Sequence, residues 1–405
     1  MDGQTLSFPD KADAIVADEF LGRRESIYLS TCTRGLLPKS ARAAVDAHLD
    51  DLATGRTDKA QLFELIGDVR GRFAKLINAG ADEIAFTKNV SEGLNMVAAG
   101  IDLAPSENVV VTLSLEHPNN VYPWLNQKGL RGIEVRTVPD RDGAVDIDAM
   151  HQAIDDRTRL VTLPTVSFSP GFRADVTALG KICREQGIFL LVDAVQSTGV
   201  LHTDVEAMMV DGLATSTQKG LCGLYGMGFL YCRRAWADRL NPVYLARFGV
   251  DLGDDAHEAT MGTENYSLMA GAGRFDLGNY NYPATAAAQQ SLRILASIGT
   301  ENIERHVTAL SHGFVEGLLE RGLPAAGGAP GPHLGHIVSV GTMGEAQDHT
   351  DDPVLRSLSD CLSAENVVHT IRRGMLRFAF HVYNTPEDVA HVLNLIDVWR
   401  SHDNP

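Results

Sequence analysis

Residues 189–234, FLLVDAVQSTGVLHTDVEAMMVDGLATSTQKGLCGLYGMGFLYCRR, set two apolar runs in succession, each leading to one charged group. The first, FLLVDAV, passes through unbroken aliphatic residues to Asp193. The second, VDGLA, approaches Lys219 through small and hydroxyl-bearing residues. A short apolar run without polar alternation is the pattern of a strand buried on both faces. ENVVVTLSL (107–115) and TRLVTLPTVS (158–167) read the same way, as does the whole of GIFLLVDAV (187–195). Between the last two lies ADVTALGKICREQG, whose apolar residues recur at helical spacing and whose Gly187 is placed to end a helix. Strand, helix, strand in that order predicts a mainly parallel sheet covered by helices, an α/β fold.

The C-terminal part changes character. Residues 282–322 read as mostly helical with an interruption near Gly299, and LPAAGGAPGPHLG (323–335) breaks the chain after them. A strand HIVSVG, a helix around 353–364 and a tight pair of strands, NVVHTI and MLRFAF joined by RRG, follow. This predicts a smaller α/β domain over residues 285–405.

At 405 residues the chain has ample length for a large core, and 44% hydrophobic with 21% charged residues is ordinary for a globular protein. The formal net charge of −17, with no basic cluster, argues against a nucleic-acid partner, because such binding rests on neutralising phosphates. Five scattered cysteines show no CxxC pairing and no metal-ligand spacing, which predicts neither a disulfide framework nor a metal site. The N-terminus is acidic where a signal peptide is basic, and no apolar run is long enough to span a membrane. The expectation is a soluble, cytoplasmic protein.

Asp193 stands at the carboxyl end of a predicted parallel strand, where ligands bind in open α/β sheets. Taken singly, Asp193 reads as a helix cap and Lys219 as a surface lysine. Together they are the least a protein supplies to pyridoxal phosphate chemistry: a lysine for the Schiff base and a carboxylate that keeps the pyridine nitrogen protonated. No GxGxxG follows a strand, so a dinucleotide site is not expected.

From IYLSTCTRGLLP to RFAFHVYNTPEDV the chain resembles the class V aminotransferases, fold-type I pyridoxal phosphate enzymes that include cysteine desulfurases, C–S lyases and isopenicillin N epimerase. The resemblance implies a mainly parallel sheet of seven-stranded type in a large cofactor-binding domain (31–284), a small domain (285–405) and an N-terminal arm (1–30) that joins the small one. It implies pyridoxal 5′-phosphate as cofactor, with Lys219 as the Schiff-base lysine, Asp193 at the pyridine nitrogen and Gln196 as donor to the phenolic oxygen. LEHPNNVYPW places His117 as the histidine stacked on the ring, a group that can also shuttle protons. TKNVSEGLNMVAAG resembles the phosphate-binding turn, where Ser91, Glu92 and Gly93 open a helix and offer backbone amides. Ser216 fits as a hydroxyl donor to the same phosphate. Gln218 stands where desulfurases carry a histidine. FDLGNYNY implies that Asn279 reaches the phosphate of a partner subunit, hence a homodimer with shared active sites. Arg377 aligns with the arginine that grips the substrate carboxylate.

Desulfurases carry a mobile cysteine between the last two strands; here only RRG joins them, and Cys361 lies in the predicted helix ahead of the pair. A persulfide mechanism is therefore not expected. The resemblance then implies a C–S lyase: loss of the Cα proton of an S-substituted cysteine to Lys219, followed by β-elimination. Alternatives are a decarboxylating enzyme on an S-cysteinyl conjugate of secondary metabolism, an epimerase with His117 or Tyr280 as second base, an aminotransferase, and a non-catalytic pyridoxal-binding regulator, against which the lack of a basic helical module before residue 30 speaks. Specificity is expected from LSTCTRG (29–35), with Thr31, Cys32 and Thr33 as candidates, from Phe168 and Tyr280, and from an acidic entrance loop over 248–266.

Overall fold

The computed structural model describes residues 10–253 and 264–403, so most of the expected entrance loop lies outside the described residues. A two-residue strand, β1 (Ile27–Tyr28), precedes the main sheet. That sheet is built from β2 (Ile84–Thr87), β3 (Asn108–Val111), β4 (Glu134–Thr137), β5 (Thr158–Pro164), β6 (Phe189–Asp193), β7 (Gly212–Ser216) and β8 (Gly228–Cys232). Its seven strands lie in the order β2-β8-β7-β6-β5-β3-β4. Pairing is parallel from β7 through β6, β5 and β3 to β4, and antiparallel only where β8 meets its two neighbours. Strand β3 ends at Val111, four residues short of the run read from the sequence, because the chain turns at Thr112–Leu115 toward the site.

The unbroken apolar strands now have a physical reason. In β6, Leu190 and Val192 enter one core while Phe189 and Leu191 enter a second on the opposite face. In β8, Phe229 and Tyr231 take the first and Leu230 and Cys232 the second. The second core is closed by the helices Val90–Gly100 and Tyr122–Arg131, which contribute Leu94, Val97 and the fully buried Trp124. The first is closed by helices that include Lys59–Leu76, Val176–Gln186 and Tyr282–Ile298. The helix before β6 ends at Gly187 with φ of 67°, in the left-handed conformation that a C-terminal glycine adopts without strain.

Short strands β9 (Val250–Asp251) and β10 (Ser267–Leu268) pair antiparallel. The C-terminal region holds β11 (Ile337–Val340), β12 (Val367–Val368), β13 (Thr370–Arg372) and β14 (Met375–Ala379), with the helix Pro353–Ala364 before β12. Strands β11, β14 and β13 form one antiparallel sheet. β1 pairs in parallel with β12, and Ser30 bridges Ala379, so the N-terminal arm is tied to the C-terminal strands. Arg372 pairs with Met375, which leaves Arg373 and Gly374 as the whole loop between β13 and β14. Both have positive φ (51° and 84°), as a two-residue hairpin turn matched to strand twist requires.

Candidate active site

The carboxyl ends of β6 and β7 set the site. Asp193 closes β6, is 3% exposed, and accepts a hydrogen bond from Val195 N through Oδ1 (3.0 Å). Ser216 closes β7, and its Oγ accepts from Val90 N (2.7 Å), tying the strand to the first amide of the helix Val90–Gly100. Lys219 follows in a turn whose backbone is fixed from three sides. Cys222 N donates to Lys219 O (2.9 Å), and Gly35 N donates to Gln218 O (2.8 Å). His381 Nδ1 accepts from Val382 N (2.6 Å), which leaves Nε2 to donate to Gly220 O (2.8 Å). The arm approaches so closely that a Cβ on Gly35 would lie 2.4 Å from Lys219 O; only glycine fits there.

His117, Phe168, Asp193, Gln196 and Lys219 line one hollow. The His117 ring stands edge-on to Phe168 with centroids 4.9 Å apart. Its pKa is lowered to about 4, first by burial and then by the positive charges of Lys219, Arg372 and Arg377, so His117 is neutral at physiological pH. Burial raises Asp193 to about 6, opposed by the Val195 amide and by Lys219. Lys219 itself is lowered by burial, against the pull of Asp193. Gln196 donates through Nε2 to Cys32 O (3.2 Å), while its Oε1 is buried without a partner. Arg377 on β14 is 2% exposed; Nη1 donates to Phe168 O (2.7 Å) and Nε to Thr370 Oγ1 (3.3 Å). Among the described residues no carboxylate pairs with this buried guanidinium, so it stands ready for an anionic ligand.

Other residues named from the sequence are placed differently. Thr31 Oγ1 bonds the Tyr383 hydroxyl (2.6 Å), and Thr33 Oγ1 is buried without a partner. Between them Cys32 takes the inner position, its Sγ 3.8 Å from the Thr370 hydroxyl that serves Arg377, and its thiol also acts directly on Arg377. Tyr280 donates to Asp276 Oδ2 (3.0 Å) and lines a separate hollow with Asn279, Lys88 and Glu92. It is not among the residues lining the hollow of Lys219, so as a substrate contact or second base it is misplaced within this chain. The expected phosphate turn is also modified. Its N-cap is Asn89, whose Oδ1 accepts from Glu92 N (3.0 Å), and Gly93 N is directed to Asn89 O (3.4 Å). Of the three expected amides, only that of Ser91 lies outside this cap. Gly93 owes its identity to packing, since a Cβ would lie 3.1 Å from that of Ala214 on β7. Gln218 joins the site through its carbonyl; its side chain is half-buried.

Sequence reading passed over two groups. Asn89 was legible as an Asn-x-x-Glu cap before an apolar helix. Glu116, which the sequence shows only as the neighbour of His117, is the other. Cys32 was named beside Thr31 and Thr33, and choosing among them required knowing which way the turn after β1 faces.

A family model described as Aminotransferase class-V matches residues 53–392. The chain belongs to the class V aminotransferase family. Pyridoxal 5′-phosphate is the cofactor of this class V chain. An uncharacterized aminotransferase of Bacillus subtilis, YcbU, is 30% identical over 374 residues, covering 92% of this chain and 94% of that protein. A probable cysteine desulfurase of Methanothermobacter thermautotrophicus is 31% identical over 334 residues, 80% of each chain. Among solved structures, the apo cysteine desulfurase of Thermococcus onnurineus NA1 matches with a TM-score of 0.82 at 25% identity, over 98% of this chain and 99% of that one. The cystine C–S lyase C-DES, in complex with its product cysteine persulfide, shares the fold with a TM-score of 0.81 at 22% identity, over 94% of this chain and 99% of that one. The residues fit the cofactor: a buried carboxyl, a lysine and a side-chain amide line a single hollow beside an imidazole. No helix among the described residues is long and apolar enough to cross a membrane.

Proposed function

We propose that this class V enzyme is a C–S lyase that acts on an S-substituted cysteine by Cα deprotonation and β-elimination, with no persulfide cysteine. The observation that carries the reading is the two-residue hairpin Arg373–Gly374, too short to swing a cysteine into the site. Cys361 sits in the helix Pro353–Ala364, before β12. The relatives named as desulfurases support a sulfur-bearing amino acid as substrate.

In this reading Asp193 would face the pyridine nitrogen, Gln196 the phenolic oxygen and His117 the ring. Ser216 and the Ser91 amide would hold the phosphate beside Gln218, with Glu92 and Gly93 shaping the helix start through the Asn89 cap and Asn279 of the partner subunit completing the seat across a homodimer. When bound, the cofactor supplies the electron sink that lets the Cα–H bond ionise. Arg377 grips the substrate carboxylate with its planar fork and so fixes the Cα–H bond toward Lys219. Lys219 Nζ takes the proton, and burial, which lowers its pKa, favours the neutral amine over the charged one. The Cβ–S bond then breaks and the thiolate leaves, giving pyruvate and ammonia after hydrolysis. We assign residues 31–284 to a large domain and 285–405 to a small one, with an arm over 1–30 belonging to the latter; the pairing of β1 with β12 supports the last assignment.

Mass spectrometry of products from a panel of S-substituted cysteines tests the proposal, with free thiol and pyruvate expected. Intact conjugate that gains only deuterium from heavy water would make the enzyme an epimerase. Loss of carbon dioxide with sulfur retained would make it a decarboxylase.

A further inference from the structure

Glu116 directly precedes His117 and is 5% exposed. Its Oε1 accepts from Asn120 Nδ2 (2.8 Å), and the same Nδ2 donates to Thr162 Oγ1 on β5 (2.8 Å). Trp124 Nε1 donates to Asn120 Oδ1 (3.1 Å), which fixes the amide so that its NH2 faces Glu116. Asn120 and Trp124 are both fully buried. Glu116 Oε2 is buried with no partner, and among the described residues no lysine, arginine or histidine contacts the carboxyl.

A carboxylate in this setting would be a dry charge with a single neutral hydrogen bond, a state proteins avoid by neutralising the group. Burial and the charge of Asp193 both push Glu116 well above the usual carboxylate range. Asp193 is the ionisable group acting on Glu116, and Asp193 in turn faces Lys219. Where the charge of one buried carboxyl bears on another, the group that is less well held takes the proton. Asp193 has the Val195 amide and Lys219; Glu116 has only Asn120.

We propose that Glu116 is a proton-bearing carboxylic acid in the working enzyme, so that of these two buried carboxyls Asp193 carries the negative charge. An ionised Glu116 would compete with Asp193 for any positive charge at the pyridine seat; a neutral one leaves Asp193 as the sole counter-charge.

This rests on the proposed C–S lyase site, and the test separates the two. Infrared difference spectra of the full-length, cofactor-loaded protein are compared between wild type and Glu116→Gln, and repeated without cofactor. A deuterium-sensitive protonated-carboxyl band in the wild type that is missing from Glu116→Gln is the expected result. Because Gln is also neutral, the pH midpoint of the bound cofactor's visible absorbance is expected to move by less than about half a unit. Loss of a carboxylate band instead, or a larger shift of the midpoint, would overturn the proposal. Failure of the protein to take up cofactor at all would overturn the reading of the site and leave the band readable in the cofactor-free protein. Should Glu116→Gln not fold, wild-type protein with 13C-labelled glutamate carboxyls decides the same point: one resonance at the protonated-acid position, unmoved between about pH 5 and pH 8, is expected, and its absence refutes the proposal.

Discussion

Asp193 is costly where it stands. A carboxyl raised to about 6 from an ordinary value of 3.8 stabilises the fold fully only below about pH 4, and that contribution is lost as pH rises through about 6. At neutral pH the cofactor-free protein therefore carries a burden of roughly 3 kcal/mol at this residue. Asp193→Asn, which keeps an oxygen for Val195 N, is expected to stabilise the cofactor-free protein at pH 7.5 by about 1–3 kcal/mol in urea melts. The same variant is expected to weaken cofactor affinity at least ~10-fold, and unchanged affinity would remove Asp193 from the pyridine seat. Arg377 makes a different prediction, because its guanidinium has hydrogen bonds but, among the described residues, no carboxylate counter-charge. Arg377→Lys keeps the charge and loses the fork, so KM is expected to rise about 10- to 100-fold with kcat changed only a few-fold. A fall in kcat with KM unmoved would show that Arg377 does not hold the substrate in its ground state.

At the scale of elements, the site depends on one contact between segments far apart in sequence. The arm after β1 lies across the lysine turn, with Gly35 N on Gln218 O (2.8 Å) and no space for a Cβ against Lys219 O. Gly35→Ala is expected to destabilise the protein by about 1–3 kcal/mol and, by shifting Lys219, to cost more than ~10-fold in kcat. Wild-type activity in that variant would mean the turn yields without moving the lysine. The β13–β14 hairpin shows the converse. Its loop length was legible because RRG sits between two apolar runs, while the strand register that gives Arg372 to β13 follows from positive φ at Arg373 and Gly374. The phosphate turn was legible as a helix start, but nothing in the local pattern shows which of its amides Asn89 already holds.

Over the whole molecule, Tyr225 is 60% exposed and Leu277 37% exposed, on loops that border the hollow lined by Gly226, Asn279 and Tyr280. Exposed apolar side chains beside a candidate phosphate residue are what a partner subunit would cover. If the proposed homodimer holds, Tyr225→Glu is expected to convert it to monomer in sedimentation analysis and to weaken cofactor binding in parallel; a monomeric wild type would remove the partner's Asn279 from the site. The parallel sheet was legible in the sequence, because strands buried on both faces must be apolar throughout, and so was the proximity of Asp193 and Lys219, which line one hollow because they follow the ends of adjacent strands. The sequence also carried the family, through motifs that lie within those strand ends. Tertiary packing was needed to show that Cys32 rather than Thr31 or Thr33 faces Arg377, that Tyr280 lines another hollow, and that Glu116 is buried with no cation beside it among the described residues. Those facts depend on how turns and helices from distant parts of the chain pack together, and no local spacing encodes which way a turn presents its side chains or what charge lies opposite a buried carboxyl.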